Sequence, residues 1–275
     1  IHWKAHPPLY SPGRWYDCEV ASLYKIGKYH WLFFGGRESA EVRVVRARDW
    51  RGPYQQASSS PVLPPWNDNG RCCYFRGQWL FFHWYRQPPS IFNAGLAGYG
   101  YNHPKQRYVF CLPKELRETA SGQLELMGFK GISGLHRGKP CLATGIKSQR
   151  VDGLGLRTKL SHRTFKDFEW TVTIRKVTGV AAGLVLRSDQ PGVSALWRRW
   201  RPDAATLELV RWVRHRPKIG TKIFDWEPLQ TVTVPQPLSS LTVTVLLWGE
   251  HIQAAVNKRV VMNAAKSVIP ASWQT

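Results

Sequence analysis

Short runs of β-branched and aromatic residues recur along the whole chain, each bounded by Gly, Pro, Asn or Asp. Runs of this length and composition predict strands. They are His30 to Phe34, Glu41 to Arg46, Trp79 to Trp84, Glu169 to Ile174, Leu184 to Arg187, Leu207 to Val213, Leu241 to Trp248 and Ile252 to Val256. Apolar residues at helical spacing are scarce, so the pattern predicts an all-β fold.

The N-terminal part repeats itself. Leu23 to Phe34 reads as strand, turn at Gly27, strand, and Cys73 to Phe82 has the same form about Gly77. The two turn glycines lie 50 residues apart, a spacing suited to the blades of a propeller. Arg48-Asp49-Trp50-Arg51-Gly52-Pro53-Tyr54 would link the two hairpins as a turn-rich connection. From Leu112 to about Thr158 the chain is richer in Gly and polar residues, as at a crossing between domains. Beyond Leu160 the alternation is cleaner: Trp170, Val172 and Ile174 on one face, Thr171, Thr173 and Arg175 on the other. That is the pattern of a β-sandwich.

Composition narrows the function classes. A chain of 275 residues with 14 Trp suits two β-rich domains, and indole faces suit sugar rings as well as cores. The net charge of +21 raises nucleic-acid binding. The distribution argues against it, because Lys and Arg are scattered and no recognition helix, zinc-finger spacing or RNA-binding strand accompanies them. The cysteines Cys18, Cys72, Cys73, Cys111 and Cys141 have no metal-ligand spacing, and buried free thiols are expected. Cys72 and Cys73, adjacent on a strand, should face opposite ways. Neither a metal nor a cofactor is expected. No apolar run reaches the ~18 residues of a membrane span. The chain begins with Ile rather than Met and shows no signal peptide, so a longer reading frame is expected and localisation stays open.

One set of residues resembles a known family. Cys111-Leu112-Pro113-Lys114-Glu115-Leu116, then Gly122-Gln123-Leu124, is similar to the junction of glycoside hydrolase family 32, the invertase and fructanase group. There "LPREL" leads through a short turn into "G-x-L". Ala182 to Arg187 resembles the family's "AGLVLR" strand, and Ile252 to Arg259 its "IEVFVNDR" strand, with Gln-Ala-Ala for Glu-Val-Phe. Asp17-Cys18-Glu19-Val20-Ala21-Ser22-Leu23-Tyr24 resembles the catalytic "E-C-P-D-L-F". Glu19, Leu23, Tyr24 and Gly27 fall on that pattern, while Val20, Ala21 and Ser22 replace Cys, Pro and Asp.

The resemblance implies a partial five-bladed β-propeller over residues 1–127, then a linker and β-sandwich over 128–275, the latter ending short. It implies a retaining glycosidase acting on sucrose or a fructan-like substrate. Glu19 would be the acid/base, first protonating the leaving oxygen and then activating water. Its apolar neighbours Trp15, Tyr16 and Val20 would desolvate it and hold its proton. Trp15, Asp17, His83 and Trp84 are the expected sugar contacts. The nucleophile and the stabilising carboxylate would precede Ile1. Two segments imitate those missing motifs, Trp66-Asn67-Asp68-Asn69-Gly70 and Arg48-Asp49, but both follow Glu19 and both read as turns. The alternative is a non-catalytic carbohydrate-binding relative, to which the altered Glu19 motif would belong.

Overall fold

The structure is a computed structural model that describes residues 2–13, 18–36, 40–86, 108–135, 167–175, 182–188, 194–201, 205–214, 224–234, 240–249 and 251–265. The chain divides into two compact units, Ile1–Phe129 with Glu250–Val268, and Lys130–Gly249 with Ile269–Thr275. Strands dominate both.

In the first unit β1 (Cys18–Ile26) and β2 (Tyr29–Gly36) form the expected hairpin. Gly27 sits in its turn at φ +59°, a left-handed conformation that costs glycine little. β3 (Glu41–Ala47) pairs with the far side of β2, and the short β4 (Gln55–Gln56) with β3. The second hairpin is β5 (Asn67–Phe75) and β6 (Gln78–Arg86), turning through Arg76 and Gly77 at φ +48° and +81°. One parallel pairing, Glu41 with Asn67, joins it to β3. β6 is also flanked by β7 (Tyr108–Phe110) and β8 (Lys114–Glu118), and β9 (Leu124–Gly128) pairs with β8.

The core beneath these strands contains Trp31, Phe33, Val42, Val44, Phe81, Leu116, Leu124 and Leu126. Each large apolar side chain removed from water contributes about 1.5–3 kcal/mol. The junction segment is stitched to the first hairpin by one carboxylate. Glu118 accepts from the Lys28 amide at 3.1 and 3.2 Å and from Trp31 Nε1 at 3.2 Å.

The second unit opens with a single helical turn, α1 (Lys130–Ser133). β10 (Phe168–Arg175) pairs antiparallel with β15 (Ser240–Trp248) along its whole length. Trp170, Val172 and Ile174 are partly buried while Thr171, Thr173 and Arg175 are exposed, the expected alternation. On the outer face Thr171 and Thr173 share hydroxyl hydrogen bonds with Thr244 and Thr242 at 2.9 and 3.0 Å, cross-strand pairs that lock register. A four-stranded antiparallel sheet follows the order β11 (Ala182–Ser188), β12 (Ser194–Arg201), β13 (Thr206–Arg214), β14 (Phe224–Thr233).

The chain then returns to the first unit as the hairpin β16 (His251–Val256) and β17 (Arg259–Ala265), where Arg259 of β17 pairs with Met127 of β9. Ala255 and Val260 join the core named above. Among the described residues no helix is long and apolar enough to cross a membrane.

Candidate functional site

Glu19 lies on β1 opposite Gly35 of β2. Immediately after it the strand bulges: the register shifts between Glu19 and Ser22, and Val20 takes φ +52°. A β-branched residue in that region is strained, and bulges re-aim side chains. β5 carries a matching irregularity between Asp68 and Arg71, with Asn69 at φ +54°. The two bulges meet around Gly35. A Cβ built there would lie 3.0 Å from Asp68 Oδ1 and 3.7 Å from Glu19 Cβ, so the absence of a side chain keeps the space between the two acids open.

The row continues across β6 and β7. Asp68 pairs directly with Trp84, and Trp84 with Phe110. Trp84 is 42% exposed and stands edge-on to Tyr108 and Phe110, at 6.0 and 6.5 Å between ring centroids. The site is thus an acid on β1, a bare glycine on β2, a second acid on β5 and an exposed indole on β6.

Asp68 and Glu19 differ in environment. Asp68 is buried, with its Oδ1 accepting from the Asn69 amide at 2.8 Å. Burial pushes its carboxyl above the ordinary aspartate range, against the opposing pull of the Asn69 N–H and the Arg86 guanidinium. Glu19 and Val20 are exposed. The desolvation expected from Val20 is therefore not present, since β1 is exposed from Cys18 to Ala21. Trp15, Tyr16 and Asp17 lie outside the described residues, as does Cys141.

His83 is not where a sugar contact needs it. Along β6 the side chains of Phe81, His83 and Tyr85 point inward and are wholly buried, and Trp84 points out. The His83 ring stacks on Phe81 at 5.4 Å. Lys114 Nζ approaches its Nε2 at 2.8 Å and also donates to the Leu112 carbonyl at 2.9 Å. An ammonium can only donate, so the ring proton belongs on Nδ1, 3.3 Å from the Trp84 carbonyl. Burial, then the Lys114 charge, hold His83 well below its ordinary value. Burial likewise holds Lys114 down to about 8.

Two further expectations are corrected. Trp66 to Gly70 is not a free turn: Asn67 begins β5, and its side-chain amide donates to the Pro64 carbonyl at 2.8 Å. The thiols are not all buried either, since Cys18 and Cys73 are exposed while Cys72 and Cys111 are buried; Cys72 and Cys73 do face opposite ways. Arg48-Asp49 does turn, Asp49 accepting from the Arg51 and Gly52 amides at 2.8 and 3.0 Å. Among the described residues no group of three or more His, Cys, Asp or Glu is arranged to hold a metal ion.

No protein-family model and no curated protein sequence matches the chain. Among solved structures it is similar to the exo-inulinase of Aspergillus awamori, with a TM-score of 0.56 at 10% identity over 96% of this chain and 54% of that one. A GH32 β-fructofuranosidase of Bombyx mori is similar over 90% of this chain and 48% of its own, at 10% identity and a TM-score of 0.47. A carbohydrate-binding module of Bacillus subtilis covers 36% of this chain and 59% of its own, at 13% identity and 0.29. The chain spans about half the length of the exo-inulinase. Likeness at such identity is likeness of fold, and the fold is all-β, a propeller-type unit with a sandwich, as in glycosidases of this architecture.

Proposed function

We propose that the protein is a retaining glycoside hydrolase of the family 32 type, acting on fructose-containing oligo- or polysaccharides, with Glu19 as its acid/base. The observation that carries this reading is the placement of Glu19 and Trp84 in one row, on either side of Gly35 and Asp68. Protonating a leaving oxygen needs a carboxyl within hydrogen-bond reach of that oxygen, beside a platform that orients the ring. Trp84 supplies the platform, and Trp15 and Asp17, from the segment before Glu19, complete the sugar contacts. Asp68 keeps a second carboxyl beside Gly35, buried where Glu19 is exposed. The fold shared with an exo-inulinase, named for its action on inulin, agrees with this substrate class.

A second reading is non-catalytic carbohydrate binding. It is favoured by the exposure of Glu19 and by Val20, Ala21 and Ser22 in its motif. Hydrolysis of sucrose, inulin and levan by the full-length protein separates the two. Glu19→Gln should lower kcat by about 10²–10⁴-fold with the thermal midpoint unchanged. Turnover at the wild-type rate would remove Glu19 from the mechanism. Absence of hydrolysis by the wild type, with fructan binding that Trp84→Ala abolishes, would establish the second reading instead.

A further inference from the structure

β1 and β5 are not neighbours in their sheet, since β2 and β3 stand between them, yet one side chain spans from one bulge to the other. Arg71 Nη1 donates to the Val20 carbonyl and lies 3.3 Å from Ser22 Oγ and 3.2 Å from the Gly70 carbonyl. Val20 is the strained residue of the β1 bulge, and Ser22 is where regular pairing resumes. Arg71 itself closes the β5 bulge that begins at Asp68. One guanidinium therefore holds the first bulge open at its weakest point and is rooted in the second.

Strain of this kind persists only where the surroundings over-determine it. Val has no intrinsic preference for positive φ, and its peptide group follows Glu19 directly. Relaxing the bulge would slip the strand by a residue and send Glu19 toward the other face. A second tie, the Cys72 amide donating to Tyr24 Oη at 3.2 Å, holds β1 to β5 further along but leaves the bulge itself to Arg71.

We infer that Arg71 is the positioning residue of this site: by clasping the Val20 carbonyl it fixes the β1 bulge and so holds Glu19 at its place opposite Gly35. The inference rests on the reading of Glu19 as the acid/base. Arg71 touches no substrate in this role, so its loss should appear in kcat with KM kept, because ground-state sugar binding is left to other groups.

The test is a double-mutant cycle in the full-length protein, with sucrose and inulin as substrates. Arg71→Met should lower kcat by about 10–100-fold, the cost of a misplacement of about 1 Å at a reacting group, with KM within about twofold. Arg71→Lys should fall between Arg71→Met and wild type, since it keeps the charge and loses the planar fork. Glu19→Gln/Arg71→Met should be no slower than Glu19→Gln alone, because a residue acting only through Glu19 has nothing left to position. Wild-type kcat in Arg71→Met while Glu19→Gln is inactive would overturn the positioning role and leave the acid/base reading standing. So would a loss confined to KM, or a double variant that loses both effects in full. Failure of both Arg71 variants to fold would assign Arg71 to stability and overturn the inference as well. Wild-type turnover in Glu19→Gln, or no turnover in the wild type, would sink the underlying reading and the inference with it.

Discussion

At the scale of single residues, the site separates two carboxyls by environment rather than by type. Asp68 is buried, Glu19 is not. A carboxyl whose folded value is raised above its unfolded one favours folding while both states are protonated. That contribution is lost as pH rises from the ordinary aspartate value of 3.8 through the raised one. Asp68→Asn keeps an oxygen for the Asn69 amide and cannot ionise. It should raise the thermal midpoint at pH 7 by about 2–4 °C, the shift that ~1 kcal/mol produces in a unit of this size, and leave it unchanged below pH 3. A midpoint lowered at pH 7 would mean that the Arg86 and Asn69 partners outweigh burial. Asp68 was hidden in the sequence because Asn-Asp-Asn-Gly has strong local turn chemistry. Its neighbours are distant in the chain, Trp84 by register and Glu19 on the other side of Gly35.

Within elements, β6 shows how a period of two sorts chemistry. His83 and Trp84 are adjacent, and both are plausible sugar contacts by type. Alternation puts His83 inside with Phe81 and Tyr85, and Trp84 outside. The inward position then acquires Lys114 from β8, a fully buried ammonium held by hydrogen bonds to His83 and Leu112. A lysine with a depressed folded value stabilises the fold fully above its unfolded value of 10.5. That stability is lost as pH falls toward the folded value of about 8. The free energy of unfolding should therefore rise between pH 8 and 10 by roughly 1–3 kcal/mol relative to Lys114→Met, followed by urea titration at each pH. Parallel pH profiles for the two proteins would show that Lys114 reaches water. The strand that follows Leu112-Pro113, β8, is tied down at both ends: Lys114 anchors one and Glu118 ties the other to the Gly27 turn.

Across the whole molecule, the last described hairpin belongs with the first unit. Ile252, Ala254, Val256, Val260, Met262 and Ala264 are all buried, and β17 extends the sheet beyond β9. Ending the chain after Gly249 should expose the β9 edge and part of the core. We expect the thermal midpoint of the first unit to fall by more than about 10 °C, from the loss of several buried aliphatic side chains at roughly 1.5–3 kcal/mol each. An unchanged midpoint for the shortened chain, measured by calorimetry, would show that β1 to β9 fold without the hairpin.

The sequence by itself determined the strands and their turns. Alternation, β-branched density and glycines at positive φ act over a few residues, so Gly27 and Gly77 mark their hairpins and the strand from Glu169 to Ile174 shows its two faces directly. A local motif singles out Glu19 as the acid/base candidate, which stands as a proposal. Only the tertiary structure decided which acids stand together. Register within the β1–β2 and β5–β6 hairpins, and the approach of Asp68 to Gly35, bring Glu19, Gly35, Asp68 and Trp84 together from positions 65 residues apart at the extremes. The clasp of Arg71 on the Val20 carbonyl exists only because two bulges fall at the same height. Local preferences set what each strand is, whereas pairing and burial, which depend on distant segments, set what it faces.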